Sequence, residues 1–134
     1  MNINDVMDEM LTALATLPGE LNLYGWNARK ITPPCALVPL PEFIDYQGTY
    51  GPGMTEAELI VHVVVSGVSG AAARKVIGGY LAKTGDASIR QLFDTYAWTS
   101  CDDVTVTRAE PGIYTSPQNA DHLSAAFTCS ITGS

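Results

Sequence analysis

The sequence predicts a single α+β domain in which an N-terminal helix and two central helices pack on a mixed or antiparallel sheet of about four to five strands. Three observations lead to this prediction: an amphipathic helix opens the chain, an apolar strand over 58–68 leads into helical spacing, and alternating segments return near the carboxyl end. The predicted order is α, β, β, β, α, α, β, β, which is typical of helices layered on one sheet.

The first helix is predicted from apolar residues that recur at spacings of three and four between Ile3 and Leu17. Acidic residues occupy the opposite face, and those in the first turn suit the positive end of the helix dipole. Asn2 or Asn4 is a suitable N-cap. The Pro-Gly pair that follows Leu17 is predicted to end the helix.

Two short strands, 21–26 and 36–40, are predicted next, and the prolines around them favour an edge position. The segment Phe43–Met54 contains three glycines and two tyrosines, so it is interpreted as a long loop or a protruding hairpin tip. The run 58–68 is apolar at nearly every position. It therefore predicts a central strand covered on two sides.

Two helices are predicted after this strand, one over 73–81 and a shorter one over 89–96. Gly85 is expected to supply a left-handed cap for the first of them. Gly78 and Gly79 lie inside that helix, where glycine is unfavourable. Close packing against the sheet would explain their presence.

The last third of the chain is predicted to return to strands over 103–108 and 123–131, in which apolar and polar residues alternate. One face of the final strand then packs, and the other faces water or a partner. A short extra strand is expected at 113–115, with turns at 110–112 and 116–120. No linker or internal repeat interrupts the pattern, so the prediction is one domain over 1–134.

The charge balance narrows the classes of partner. Fourteen acidic and seven basic residues give a formal net charge of −7, which repels phosphate backbones and anionic membranes. Sequence-specific nucleic-acid binding is therefore not expected, although DNA could slide past such a surface. The chain is 46% hydrophobic and 16% charged, so part of its apolar surface is expected to be covered by neighbouring subunits.

The three cysteines lie far apart and form no CxxC pair, which favours a reducing compartment over a disulfide framework. The chain starts with an acidic helix and has no apolar run of membrane-spanning length. Neither a signal peptide nor a transmembrane helix is expected.

No catalytic, cofactor or metal site is predicted from the reactive residues. His62 is interpreted as a hydrogen-bonded core histidine, and His122 has no ligand-type residues at metal spacing. Asp102, Asp103 and Glu110 are interpreted as solvated acids at a strand entrance, in preference to paired catalytic carboxylates.

The segment Gly67–Lys75 joins the central strand to a helix, where backbone amides can hold an anion. It matches no Walker loop, dinucleotide fingerprint or nucleophile elbow, so a tight turn is the preferred interpretation. An anion site formed by Ser69, Gly70 and Lys75 remains the alternative.

Five sequence segments together resemble those of a known protein family. They are TPPCALVPLP at 32–41, YQGTYGPGMTEAELIVHVVV at 46–65, YLAKTGDASIR at 80–90, DDVTVT at 102–107 and HLSAAFTCSI at 122–131. In their order and spacing they resemble the tail terminator proteins of long-tailed phages, siphovirus-type, especially phages of actinobacteria. The resemblance covers nearly the whole chain.

The resemblance implies a small α/β protein of the virion that caps the tail tube as a hexameric ring, ends tail polymerisation and joins the filled head. It implies no enzymatic activity and no cofactor. The expected partners are further copies of the chain, the major tail tube protein and the head–tail connector proteins, with DNA passing through the lumen without specific binding. The expected location is the tail–neck junction of the virion, after synthesis in the cytoplasm of the bacterial host.

A closed ring needs two different patches on each subunit. The predicted ones are the Phe43–Met54 loop and the Tyr114–His122 segment, because aromatic residues at loops and strand ends often anchor interfaces. Trp26 and Trp98 have similar positions. The proposed interface residues are Phe43, Tyr46, Tyr50, Met54, Tyr114 and His122. Alternatively, these aromatic side chains fold back over their own domain.

Three other functions stay open at this point. A head closure or adaptor protein of the neck would share the same structural class. A small anion- or nucleotide-binding domain would use the helix N-terminus after Gly67. A homo-oligomeric module from outside phages would form rings without any role in tails.

Overall fold

The computed structural model describes residues 1–19, 21–25, 29–46, 54–65 and 70–133. Three helices and six strands lie in this part of the chain, which confirms the predicted α+β class and adds one strand to the expected number. The elements are α1 (Ile3–Leu14), β1 (Asn22–Tyr24), β2 (Cys35–Leu37), β3 (Phe43–Asp45), β4 (Thr55–Val64), α2 (Ala71–Leu81), α3 (Ile89–Thr95), β5 (Asp103–Thr115) and β6 (Asp121–Gly133).

All six strands form one mixed sheet with the order β1-β2-β4-β6-β5. β4 is central, and it pairs with β6 over its whole length. Along its other edge β4 pairs first with β3 and then with β2, so that Glu58 lies opposite Phe43 and His62 lies opposite Leu37. Only β1 and β2 are parallel among the described strands.

The core lies between the helices and one face of the sheet. Alternate residues of the two longest central strands point into it, among them Leu59 and Val61 of β4 and Phe127 of β6, each at most 1% exposed. Burying an aliphatic or aromatic side chain of this size stabilises the fold by about 1.5–3 kcal/mol. From the helices, the core receives Val6, Met7, Met10, Ala13, Leu14, Ile77, Tyr80, Ile89 and Phe93.

The second face of the sheet, called the open face below, carries no helix among the described residues. A small cluster of Ile31, Cys35, Leu37 and Val64 covers the end of the sheet where β4 finishes. At the other end Glu56 and Glu58 of β4 are half-buried. The prediction that the strand 58–68 is covered on two sides is therefore wrong at its start, where Glu58 is half-buried on the open face, while 66–68 lie outside the described residues.

Strand pairing refines one prediction and corrects another. The segment interpreted as a long loop or a protruding hairpin tip begins with β3, which pairs antiparallel with β4, while 47–53 lie outside the described residues. The turn predicted at 110–112 is wrong, because β5 runs on through it with one irregularity between Val106 and Arg108. Pro111 is tolerated since β5 is an edge strand of the sheet, and one side of its backbone pairs with none of the described strands.

The glycines of α2 also differ from expectation. The helix ends at Leu81, and Gly85 adopts its positive φ of 123° four residues later, in the loop before α3. A Cβ at Gly78 would meet nothing within 4 Å, and one at Gly79 would lie 3.5 Å from the Cβ of Ala87. Packing against the sheet therefore explains neither glycine.

Candidate functional site

An acidic surface with two exposed aromatic residues lies at β3 and the start of β4. Phe43 is 51% exposed and Tyr46 is 75% exposed. The strand register places Glu58 beside Phe43 and Glu56 beside Asp45. We call this surface the acidic edge, and its residues are Glu42, Phe43, Asp45, Tyr46, Glu56 and Glu58. The sequence contains no lysine or arginine between residues 31 and 73.

A basic surface lies at the opposite end of the strands, where β4 finishes and α2 begins. Four of the seven basic residues belong to segments that meet at this end, and all four are exposed: Arg29, Lys30, Arg74 and Lys75. Lys30 adjoins Ile31, whose carbonyl accepts a hydrogen bond of 3.2 Å from the Gln118 side chain in the β5–β6 turn. We call this surface the basic end.

The basic end contains an apolar groove of about 240 Å³. Pro34 and Val65 form one wall, at the start of β2 and the end of β4. The other wall is the first turns of α2, where Val76 is 47% exposed. The lining residues are Pro34, Val65, Ala72, Ala73 and Val76. Sequence reasoning missed this groove because three separated segments build it.

Tyr114 and His122 lie opposite each other in the β5–β6 hairpin, also toward the basic end. Both are half-buried, and the Tyr114 ring centroid lies 5.9 Å from that of His62. The Nδ1 atom of His122 is buried and has no hydrogen-bond partner among the described residues. Their neighbour Ile113 is 66% exposed and offers more contact area than either of them.

The structure therefore divides the predicted interface residues into two groups. Phe43, Tyr46 and the half-buried Met54 lie at the acidic edge, whereas Tyr114 and His122 lie at the other end of the sheet. Glu56 and Val64, near the two ends of β4, are eight residues apart, or roughly 26 Å at 3.3 Å per residue. Glu42 lies between these ends, near His62, whose ring is next to that of Tyr114. Tyr50 and Trp26 lie outside the described residues.

Trp98, in contrast, contacts its own domain. Its ring lies 5.5 Å from that of Phe93 and 4.7 Å from that of Tyr96, and its Nε1 donates to the Phe93 carbonyl at 3.0 Å. The alternative in which an aromatic residue folds back over its own domain therefore holds for Trp98.

The reactive side chains do not converge. His62 is half-buried on the open face and not in the core; burial lowers its pKa, and nearby Glu42 partly opposes this effect. Glu110 forms an ion pair with Arg108 and lies seven residues along β5 from Asp103, or roughly 23 Å away. Within the described ranges, no three His, Cys, Asp or Glu side chains group in a way that could hold a metal ion.

The three cysteines are free and buried. Burial raises the pKa of Cys35 and Cys101 to about 11 and that of Cys129 to about 12. Because the thiolate is the reactive form, these protonated thiols are poor nucleophiles at neutral pH.

The residues of the anion-site alternative are only partly described. Gly70 is the N-cap of α2 and offers no side-chain hydrogen bond, and Lys75 is exposed. Ser69 lies outside the described residues. The described part of this site consists of the N-terminus of α2 and one exposed lysine about one turn further along the helix.

One carboxylate contact was not anticipated from the sequence. Glu9 of α1 accepts hydrogen bonds from the amides of Thr99 at 3.0 Å and Ser100 at 2.9 Å, and from both hydroxyl groups. Partial burial alone would raise the pKa of Glu9, but these hydrogen bonds outweigh it and the pKa is lowered. The partners are about ninety positions apart in the chain, so no local pattern signals the contact.

No protein-family model matches the chain, and a search of curated proteins found no match. Among the described residues, no helix combines the length and apolar character that crossing a bilayer requires.

Proposed function

We propose that the protein is a structural component of a phage virion that caps the tail tube as a hexameric ring, ends tail polymerisation and provides the surface for head joining. The observation that carries this proposal is the presence of two unlike patches at opposite ends of one sheet. A closed ring of identical subunits needs such heterologous contacts, since each subunit must offer one surface and accept a different one.

The other properties of the chain are consistent with this role. The described residues combine three helices with a mixed six-stranded sheet, which is compatible with the small α/β protein that the resemblance implies. A net charge of −7 keeps phosphate backbones from adhering, as a lumen that DNA traverses requires. In this proposal the partners are further copies of the chain, the tail tube protein and the connector proteins of the neck. Assembly of this kind requires no catalytic group or cofactor.

The test is the distribution of tail lengths after disruption of the gene in the phage or prophage that carries it. Electron microscopy is expected to show overlong tails and filled heads that remain unattached. Restoring the intact gene in trans serves as the control and should return tails to normal length. Tails of normal length without heads would place the protein elsewhere in the neck, as a head closure or adaptor protein. Intact infectious particles would overturn the assembly role altogether.

A further inference from the structure

We infer that the acidic edge of one copy docks in the apolar groove at the basic end of a second copy. This contact rests on the proposed ring and specifies which surfaces join its subunits. Both halves of the contact belong to the same chain and lie at opposite ends of its sheet. Each copy therefore offers one half and accepts the other, which is the arrangement of a heterologous interface.

Charge selects this pairing over the alternatives. The acidic edge carries four carboxylates, whereas the basic end carries four cations and the carboxylate of Asp121, which accepts a hydrogen bond from the Thr115 hydroxyl at 2.7 Å. Two acidic edges brought together would oppose like charges, and so would two basic ends. Opposite charges meet only when the acidic edge faces the basic end.

The apolar parts of the two surfaces are also complementary. Phe43 and Tyr46 are 51% and 75% exposed at the acidic edge, so both aromatic side chains are accessible to a partner. The groove at the basic end measures about 240 Å³. A cavity of about 150 Å³ is enough to hold a benzene ring, so the groove has room for one aromatic side chain. An aromatic anchor in an apolar pocket with a charged rim is typical of protein interfaces.

Cross-linking between introduced cysteines tests the contact directly, because the three native thiols are buried. One variant carries Tyr46→Cys at the acidic edge, and the other carries Val76→Cys in the groove. A short bis-maleimide is expected to produce heterodimers from a mixture of the two variants and little dimer from either alone. A chain with both substitutions is expected to give a ladder of cross-linked multimers.

Charge reversal distinguishes docking from random collision. Lys75→Glu in the groove variant is expected to lower the heterodimer yield about two- to fivefold, the effect of losing a partly exposed ion pair. Adding Glu42→Lys to the acidic-edge variant is expected to restore the yield. Arg90→Glu is the matched control and should leave the yield unchanged, because Arg90 lies on α3, outside the groove, and pairs with Asp94.

The inference is overturned if the folded Tyr46→Cys variant alone, or the folded Val76→Cys variant alone, forms cross-linked dimers as readily as the mixture of the two. It is also overturned if the mixed pair gives no cross-link either in purified protein or in tails isolated from phage that carry both substitutions. Overlong tails after gene disruption combined with no mixed cross-link would leave the proposed function standing and remove this contact. A mixed cross-link combined with normal tails after gene disruption would leave this contact standing and remove the proposed function.

Discussion

At the scale of single residues, Glu9 fixes the relation between α1 and the segment that leads into β5. Its two carboxylate oxygens accept hydrogen bonds from the backbone amides and the side-chain hydroxyl groups of both Thr99 and Ser100. Hydrogen bonds to a charged acceptor are stronger than those between neutral groups. One side chain thus holds together parts of the chain that are far apart in sequence.

Glu9→Gln is expected to lower the free energy of unfolding by about 1–2 kcal/mol, because the amide NH₂ turns a donor toward groups that are themselves donors. Urea denaturation followed by circular dichroism measures the change. Asp8→Asn is the matched control on the same helix and should have almost no effect, since the Asp8 side chain is exposed. Equal stabilities of the Glu9 and Asp8 variants would contradict this role for Glu9.

The pH dependence of stability should carry the signature of the same carboxylate. Its pKa is lower in the folded state than the value of 4.5 expected for a free glutamate. The unfolded state therefore binds the proton first, so the contribution of Glu9 is present above about pH 4.5 and disappears as the pH falls through the folded pKa. Urea titrations from about pH 6 to pH 3 should show the wild type and the Glu9→Gln variant converging in stability. A stability difference that stays constant over this pH range would contradict a lowered pKa of Glu9 in the folded state.

The buried thiols lead to a second prediction at this scale. Because burial raises the pKa of Cys35, Cys101 and Cys129 to about 11 or 12, they are expected to react very slowly with a thiol-specific disulfide reagent in the native protein at neutral pH. All three should react quickly once the protein is unfolded in urea. Fast reaction of one equivalent in the native state would show that one of these sites opens.

At the scale of elements, the long periodic segments and the short strands β1 and β2 could be predicted from the sequence, whereas β3 could not. The apolar spacing of α1 and the alternation of β6 are local signals that already specify the element. β3 has only three residues and exists because β4 offers it an edge, so its glycine-rich neighbourhood was misleading. Pro111 was misleading too, since a turn and an edge strand accept proline equally well.

Gly78 lies at a position of α2 where tertiary packing does not restrict the size of the side chain. It is exposed in the middle of α2, and a Cβ there would have no neighbour within 4 Å. Gly78→Ala is therefore expected to raise the free energy of unfolding by about 0.5–1 kcal/mol in urea denaturation. Gly85→Ala is the contrasting control and should lower it by about 1–2 kcal/mol, because φ is 123° there. Destabilisation by Gly78→Ala would mean that the site is covered in a larger assembly.

At the scale of the whole molecule, the distribution of charge conveys more than its total. A net charge of −7 alone only disfavours anionic partners. The fold brings carboxylates together at β3 and cations together where α2 begins. The two ends of the strands therefore carry opposite charges, and the domain has an electrostatic polarity along its strands. The sequence pointed to Phe43 and Tyr46 as interface residues, and that stays a prediction. It could not reveal the groove, since Pro34, Val65 and Val76 become neighbours only through folding.

This polarity predicts how self-association responds to salt. Charged rims that attract each other are screened within about 8 Å at physiological ionic strength and within about 3 Å at 1 M salt. The dissociation constant measured by analytical ultracentrifugation should therefore rise as sodium chloride is increased, while Phe43→Ala should weaken association at every salt concentration because the aromatic anchor is lost. Leu40→Ala is a suitable comparison, as Leu40 is exposed to a similar degree, 49%, but lies before β3. Association that strengthens with salt would mean that apolar contact dominates and that the two charged ends do not meet.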